Sequence, residues 1–358
     1  MLYTNLDGIN KHKGGELSVL LNRMNPHVVF VTETKMNDDE VTTQFMDCSN
    51  YAEFRKDRNS GHGGGVLILV RNDQMVHEYN DKVLGDIEAV ACKMKFNHHA
   101  LTLVCMYRPP RADKHYNEKI NDALHHFGNC GDEQVIICGD FNFPQINWNL
   151  NTVQGGETTD QHKFLDATQD AFLHQHVHHF TRVRGDDQPS LLDLVFTREP
   201  LEVENMKFKS PIGTSDHCLL AFTMLMEGFQ QQQEVGSRRN FFKGNYIEAG
   251  KMFEAINWDN ELSEKTVQAA WDAFKDHYNC VVESCVPLHK SGLGNSVRKK
   301  KWMTKKVMSG IQRKEMAWKR YRKTKSASCL KAYRIIRNKA TRTVREAKPN
   351  LKMISLRR

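Results

Sequence analysis

The sequence contains no Cys-x-x-Cys pair, although nine cysteines are present. That spacing excludes the common zinc-ribbon and dithiol frameworks, and an odd, scattered set points to a reducing compartment. Five of the nine sit within or beside apolar runs, where a reduced thiol packs as a small hydrophobe. There is no Gly-x-Gly-x-x-Gly and no Walker sequence, so neither a dinucleotide fold nor a P-loop is indicated. Gly61-His62-Gly63-Gly64-Gly65 is followed by strand-type residues instead of a helix with Lys-Ser/Thr, which reads as a flexible turn. Apolar runs stop at five residues, as at Val66–Val70, against the ~20 a membrane-spanning helix needs. Asn5, Asp7 and Asn10 interrupt the first ten residues, so no secretory signal is read there. The expectation is a soluble intracellular protein.

With 358 residues and 39% hydrophobic content, the chain can hold one large domain and a smaller appendage. Its net charge of +8 conceals a sharp division. Residues 298–358 carry 23 Lys and Arg against Glu315 and Glu346, about +21, which leaves about −13 on the preceding part. An acidic body with a strongly basic end implies a polyanionic partner for that end. Arg298, Lys299, Lys300 and Lys301 are candidate nucleic-acid contacts and also fit a nuclear import signal.

Short strand candidates dominate the first 226 residues: Val28–Thr32, Val66–Val70, Ala89–Lys95, Leu101–Met106, Val135–Cys138, Leu191–Phe196 and Leu219–Leu225. Helical spacing occurs at Glu16–Met24, Tyr116–Phe127 and Gln161–Phe172. The expected fold class is α+β: a four-layer α/β/β/α sandwich of two packed mixed sheets flanked by helices, followed by a helical basic extension. We divide the chain into a domain at 1–228, a polar linker at 229–240, a helical connector at 241–296 and a basic helical nucleic-acid-binding tail at 297–358. The connector repeats Val267, Ala270, Trp271, Phe274, Tyr278 and Val281 at helical spacing, a packing face. In the tail, Trp302, Ile311, Trp318, Tyr321, Tyr333 and Ile336 form an aromatic seam among the basic residues.

Eight polar residues fall at the rims of strand candidates: Asn5, Glu33, Tyr107, Asp140, Asn142, Asp193, Asp216 and His217. A lone Asp after a strand is ordinarily a turn residue or a helix cap. Several such positions of complementary type are harder to dismiss. Asp193 lies inside Leu191–Phe196, where an ionised carboxylate is costly unless paired, and His217 is the partner we expect. The set suits metal-assisted phosphodiester hydrolysis. Mg²⁺, or Mn²⁺ in its place, takes one or two carboxylates and keeps its waters. A further carboxylate activates water, while an amide, an imidazolium and a phenol bind phosphate oxygens. Zinc is disfavoured, because no cysteine cluster supplies soft ligands. The tract His174, His176, His178 and His179 is read as irregular exposed histidines.

Taken jointly, Thr4-Asn5, Val31-Thr32-Glu33-Thr34, Gly63-Gly64-Gly65-Val66, Tyr107-Arg108-Pro109-Pro110, Gly139-Asp140-Phe141-Asn142, Leu192-Asp193-Leu194-Val195 and Ser215-Asp216-His217 resemble the endonuclease/exonuclease/phosphatase superfamily. More narrowly, the chain resembles the apurinic-like endonuclease of jockey-type LINE (non-LTR) retrotransposon proteins. The resemblance covers residues 1–226, and continues more weakly through Trp258-Asp259, Trp271–Asp276, Pro287 and the basic tail, like the connector before a reverse transcriptase. It implies that Glu33 is the principal metal ligand, with Asn5 and Asp216 near the ion. Asp140 would activate water and Asn142 hold the scissile phosphate. His217, oriented by Asp193, would contact the phosphate, and Tyr107 would support the leaving group. Thr181 sits where the family contacts DNA, and Ser215 is grouped with it. Such enzymes nick DNA and leave a 3′-hydroxyl; the substrate implied is DNA, with element RNA a further partner for the tail and no membrane partner.

Two departures are noted. Only Met1–Thr4 precede Asn5, so the first strand is short and the domain's edge is expected to be weakened there. Gly185-Asp186-Asp187 lacks flanking apolar strands and is read as a loop, leaving no reverse transcriptase motif. Two alternatives stand beside the endonuclease: a superfamily phosphatase acting on a phospholipid or phosphoinositide, and a decayed, non-catalytic fragment that binds nucleic acid.

Overall fold

The computed structural model describes residues 1–58, 63–96, 99–130, 134–185, 187–226, 237–239, 244–263, 265–290 and 302–347. The chain divides into two compact units, Met1–Phe229 with Lys299–Arg358, and Gln230–Arg298.

In chain order the first part of the larger unit contains β1 (Leu2–Asn5), α1 (Lys11–Met24), β2 (Val28–Thr32), β3 (Tyr51–Lys56), β4 (Val66–Arg71), β5 (Met75–Glu78), β6 (Glu88–Phe96) and β7 (His99–Tyr107). Then follow α2 (Lys114–Gly128), β8 (Gln134–Asp140), the short pair β9 (Ile146–Asn147) and β10 (Thr152–Val153), α3 (Asp160–Asp170), β11 (His174–Gln175), β12 (Asp193–Thr197), β13 (Val203–Lys209) and β14 (Leu219–Met224). These strands form two six-stranded sheets, ordered β13-β14-β1-β2-β4-β3 and β11-β12-β8-β7-β6-β5. In each sheet the central pair is parallel, β1 with β2 and β7 with β8, and the other pairs are antiparallel. This is the expected sandwich of two mixed sheets with helices outside.

The central strands read as unbroken apolar runs because both of their faces are covered. Tyr3, Phe30, Val66 and Ile68 meet Cys92, Leu103, Cys105, Ile136, Cys138 and Val195 between the sheets. The alternate residues Val29, Val31, Leu67 and Leu69 pack under Leu17, Leu20 and Leu21 of α1. On the opposite outer face Val104, Met106, Ile137 and Phe196 pack against Ile120, Leu124 and Phe127 of α2 and Phe164 of α3. Asn10 caps α1 by accepting from the backbone of His12 and Lys13, and Asp113 caps α2 through Tyr116. β1 does not lie at an edge: β14 and β2 flank it, and the Met1 amino group donates to Phe222 at 2.7 Å.

The basic end belongs to this same unit. α7 (Lys305–Thr324) and α8 (Ala327–Ala347) form a helical hairpin, turned at Lys325 in the left-handed conformation. Trp318, Tyr321 and Tyr333 enter the core cluster that contains Tyr3, Cys218 and Phe222, so the aromatic seam packs against the sandwich. Val307, Ile311 and Val344 close over Val19 of α1. Lys314, fully buried, donates to Glu16 and to the carbonyl of Pro211. Arg298 to Lys301 lie outside the described residues.

The second unit contains α4 (Tyr246–Glu254), α5 (Trp258–Leu262), α6 (Val267–Cys285) and the two-stranded pair β15 (Ser237–Arg239) with β16 (Leu288–Lys290). Trp258 packs between Phe253 and Phe274, whereas Val267 and Trp271 of the predicted packing face are exposed. Most of the 229–240 linker lies outside the described residues.

Candidate active site

The strand topology brings the eight rim residues to one end of the sandwich. Parallel neighbours end together, and their antiparallel partners begin there. Asn5 ends β1 opposite Thr32, the last residue of β2, and Glu33 follows directly. Across the second sheet Asp193, Asp140, Tyr107 and Glu88 form one row, each paired with the next. His217 stands two residues before β14, which runs antiparallel to β1. Residues from both sheets therefore converge at the mouth of the interface.

Asp193 Oδ2 accepts from His217 Nδ1 at 2.8 Å, and its other oxygen accepts from Tyr3 Oη at 2.7 Å. The expected Asp–His pair is present. Tyr3 also meets Thr32 Oγ1 at 2.9 Å. Thr181 Oγ1 accepts from the backbone of Leu192 and Asp193 at 3.2 and 3.1 Å, which fixes the start of β12. Thr181 is fully buried, and so is Ser215, whose hydroxyl donates to Asn5 O at 2.8 Å and accepts from His217 N at 3.2 Å. Both residues, read in the sequence as nucleic-acid contacts, are placed as internal pins of Asp193, Asn5 and His217.

Asn5 ties the other half together. Its Nδ2 donates to Glu33 Oε1 and to Asp140 Oδ2, both at 2.9 Å. Glu33 and Asn142 have φ of +50° and +52°, left-handed conformations that cost a side-chain-bearing residue about 1 kcal/mol or more. Neighbouring backbone holds the Glu33 turn: Gly8 N donates to Glu33 O, while Thr34 N and Lys35 N donate to the carbonyls of Gly65 and Gly64. The glycine run is thus a brace. Gly64 and Gly65 have positive φ, and a side chain at Gly64 would collide with Glu88. Gly139 is required for a different reason: its added Cβ would stand 2.3 Å from Met106 O. Asn142 donates one amide hydrogen to Arg108 O at 2.8 Å, leaving the second for a ligand.

Charge is concentrated here. Burial raises the Asp140 carboxyl well above its ordinary value, and Asp193 and Glu33 add to this against His217 and the Asn5 hydrogen bond. Burial opposes charge on His217 as well, yet Asp193, Asp140 and Asp216 push it up to about 9. Desolvation works against the Asp216 charge, but His217 and Arg182 hold its carboxyl below the usual range. Burial, with Glu33 and Asp140, raises the Tyr107 phenol. His217 Nε2 is 3.9 Å from Asp140 and 3.8 Å from Asp216, beyond a hydrogen bond to either, so this nitrogen is left to donate elsewhere. Glu33, Tyr107, Asn142, Asp216 and His217 line a cleft of about 820 Å³. Asn5, Asp140 and Asp193 are buried immediately behind it.

Residues 101–221 match the model of the endonuclease-reverse transcriptase family. That match covers about a third of the chain, from β7 into β14. No curated protein matches the chain. Among solved structures it is similar to the endonuclease domain of TRAS1, a telomere-specific non-LTR retrotransposon, at 18% identity and a TM-score of 0.48 over 63% of this chain and 98% of that one. It is similar also to the 3′ phosphatase NExo from Neisseria, solved with a product DNA hairpin, at 12% identity and 0.48 over 63% and 100%. A humanized D. rerio TDP2 gives 15% identity and 0.42 over 62% and 98%.

Sequence reasoning missed three participants in this site. Tyr3 shares a strand face with Asn5 by two-residue alternation, a signal that was legible. Arg182, whose Nε contacts Asp216 Oδ2 at 3.0 Å, gives no periodic signal from its irregular segment. Lys35, bonded to Asp7 and 3.3 Å from Glu33, gave none either. The histidine tract is not wholly exposed as expected: His176 is buried and hydrogen-bonded to Thr197 at 2.7 Å. Among the described residues no helix is long and apolar enough to cross a membrane.

Proposed function

We propose that the chain is a metal-dependent phosphodiesterase, a DNA endonuclease of non-LTR retrotransposon origin that nicks one strand and leaves a 3′-hydroxyl. The observation that carries this reading is the buried Tyr3–Asp193–His217 relay beside Asp140, with His217 Nε2 free at the cleft. A residue that must carry a proton to a phosphate oxygen needs a fixed ring, an enforced positive charge and one open N–H. His217 meets all three conditions. Asp140, raised by burial, is a stronger base than a solvated carboxylate, which suits it to take the proton of the attacking water. Asn142 supplies its remaining amide hydrogen to the scissile phosphate, and Tyr107 faces the leaving oxygen.

The donor set fits a hard divalent cation. Glu33 and Asp216 reach the cleft with side chains 17% and 22% exposed, and oxygen is the only donor type they offer. One or two carboxylates with several waters is the usual protein share of a Mg²⁺ site. Asn5 holds Glu33 in place through its amide. Asp140, Asp193 and His217 could also present ligand atoms within 4.8 Å of one another. Asp140 and Asp193 are buried behind the cleft, however, whereas Glu33 and Asp216 line it, so we assign that trio to proton handling and the ion to Glu33 and Asp216. When bound, the ion neutralises charge on the phosphate oxygens and leaving group.

Nicking of supercoiled plasmid in Mg²⁺ tests the proposal. Asp140→Ala and His217→Ala should each slow it by about 10² to 10⁴, the usual worth of a positioned acid or base. Undiminished nicking by both variants would remove the assignment. Absence of nicking by the wild-type chain, with duplex binding retained, would support the decayed fragment instead.

A further inference from the structure

One wall of the catalytic cleft comes from a helix to which the sequence assigns no place in the site. Arg334 and Arg337 of α8 line the cleft together with Glu33, Asn142, Asp216 and His217. Three positions apart, they share one helix face. Arg334 donates to the carbonyl of Gly185, in the loop that begins at Arg182. Arg182 pairs its backbone with His217 and its side chain with Asp216, so a short path of contacts joins α8 to the catalytic histidine. Arg337 reaches the side chain of Asn338 at 3.0 Å.

The charges of the cleft are unequally matched. Lys35 is taken by Asp7 and Glu33, and Arg182 by Asp216. Among the described residues neither Arg334 nor Arg337 forms an ion pair. The acidic floor would repel a polyanion, so entry of one depends on cations that the floor does not already neutralise. The α8 wall supplies two.

These arginines are also held on a firm base. Lys314 and Glu16, both buried, lock α7 to α1. Glu315 accepts from Ser210 N at 2.9 Å. The Arg322 guanidinium lies 4.5 Å from the Phe180 ring centre and 4.3 Å from that of Phe208. At Gly310 the helix α7 faces Ala340 of α8, where an added Cβ would make an ordinary contact at 3.8 Å. A planar guanidinium that is pre-placed loses little freedom on binding and matches phosphate with two parallel hydrogen bonds.

We infer that Arg334 and Arg337 form a phosphate-binding site for the nucleic-acid strand beside the scissile bond, making α8 a wall of the active site. This rests on the endonuclease reading. The contact is to backbone phosphate, because arginines flanking the site of backbone cleavage meet the strand's charged edge. It positions substrate and takes no part in proton transfer.

The full-length chain carrying Arg334→Gln with Arg337→Gln is the test, measured for binding to a labelled duplex in chelator over a series of salt concentrations. Each phosphate contact contributes about 0.9 to the slope of log affinity against log salt, so the double variant should lose about 1 to 2 units of slope. Affinity should fall about ten-fold or more, with the loss in nicking appearing in KM more than in kcat. Arg334→Lys with Arg337→Lys should keep most of the slope. Lys339→Gln, an exposed charge of the same helix outside the cleft, should change neither quantity. An unaltered slope in the double glutamine variant, or an equal loss in Lys339→Gln, overturns the site. Binding in chelator needs no catalysis, which separates the two claims. A wild-type chain that fails to nick, yet shows the arginine-dependent slope, refutes the nuclease and sustains the site. Normal nicking with an unaltered slope does the reverse.

Discussion

Tyr3 shows how much of this site depends on a residue that never meets substrate. Its hydroxyl donates to Asp193, and removing a donor from a buried carboxylate costs about 1 to 3 kcal/mol. Tyr3→Phe should therefore lower the unfolding free energy by that amount and slow nicking. Equal stability in denaturant titrations would show that Asp193 finds another donor. His176 offers a second test at this scale, away from the cleft. Burial lowers its imidazole to about 4, with His174 and His178 adding to the effect. Between pH 4 and the ordinary value of 6.5 the unfolded chain binds the extra proton. Its stabilising contribution is thus complete above pH 6.5 and is lost as pH falls towards 4, amounting to roughly 2 kcal/mol. His176→Gln, which can keep a bond to Thr197, should flatten that acid limb in thermal melts; parallel limbs contradict the assignment. The eight rim residues were legible in the sequence because chemical type and strand position coincide at each. Thr181 and Ser215 show the limit of that reading. A hydroxyl that pins backbone and one that touches a ligand look the same in sequence.

The elements recovered from the sequence are those with both faces buried. β2, β4, β6, β7, β8, β12 and β14 announce themselves as apolar runs. β3, β5 and β13 do not, and each stands at the end of its sheet. Tyr51-Ala52-Glu53-Phe54-Arg55-Lys56 is half exposed and mixed in polarity, as edge strands commonly are, and no periodic signal survives. The seam of α7 and α8 was readable, but a stripe reports only that something covers it. What covers it is decided by Glu16, 298 residues away from Lys314. Glu16→Leu or Lys314→Met alone should destabilise the chain by about 3 to 5 kcal/mol, since each leaves a buried charge unpaired. Glu16→Leu combined with Lys314→Met should recover most of that loss. A strictly additive double-mutant cycle would show that the pair does not lock the hairpin.

At the scale of the molecule, two opposed charges fold onto each other. The basic end counted in sequence as an extension closes against the acidic sandwich, and part of its charge is directed at the cleft. Composition reveals the imbalance and names a polyanion, yet it carries no information about which face the positive charge will present. In the proposed reaction one hydrated divalent ion, held by Glu33 and Asp216, serves the proton relay of Asp140 and His217. Cleavage of supercoiled DNA before and after chelation tests it most directly, run beside Glu33→Gln. Nicking is expected in Mg²⁺ and none in excess chelator, with recovery when Mg²⁺ is restored and a loss of about 10² or more in the variant. Nicking that continues at the same rate in excess chelator contradicts it.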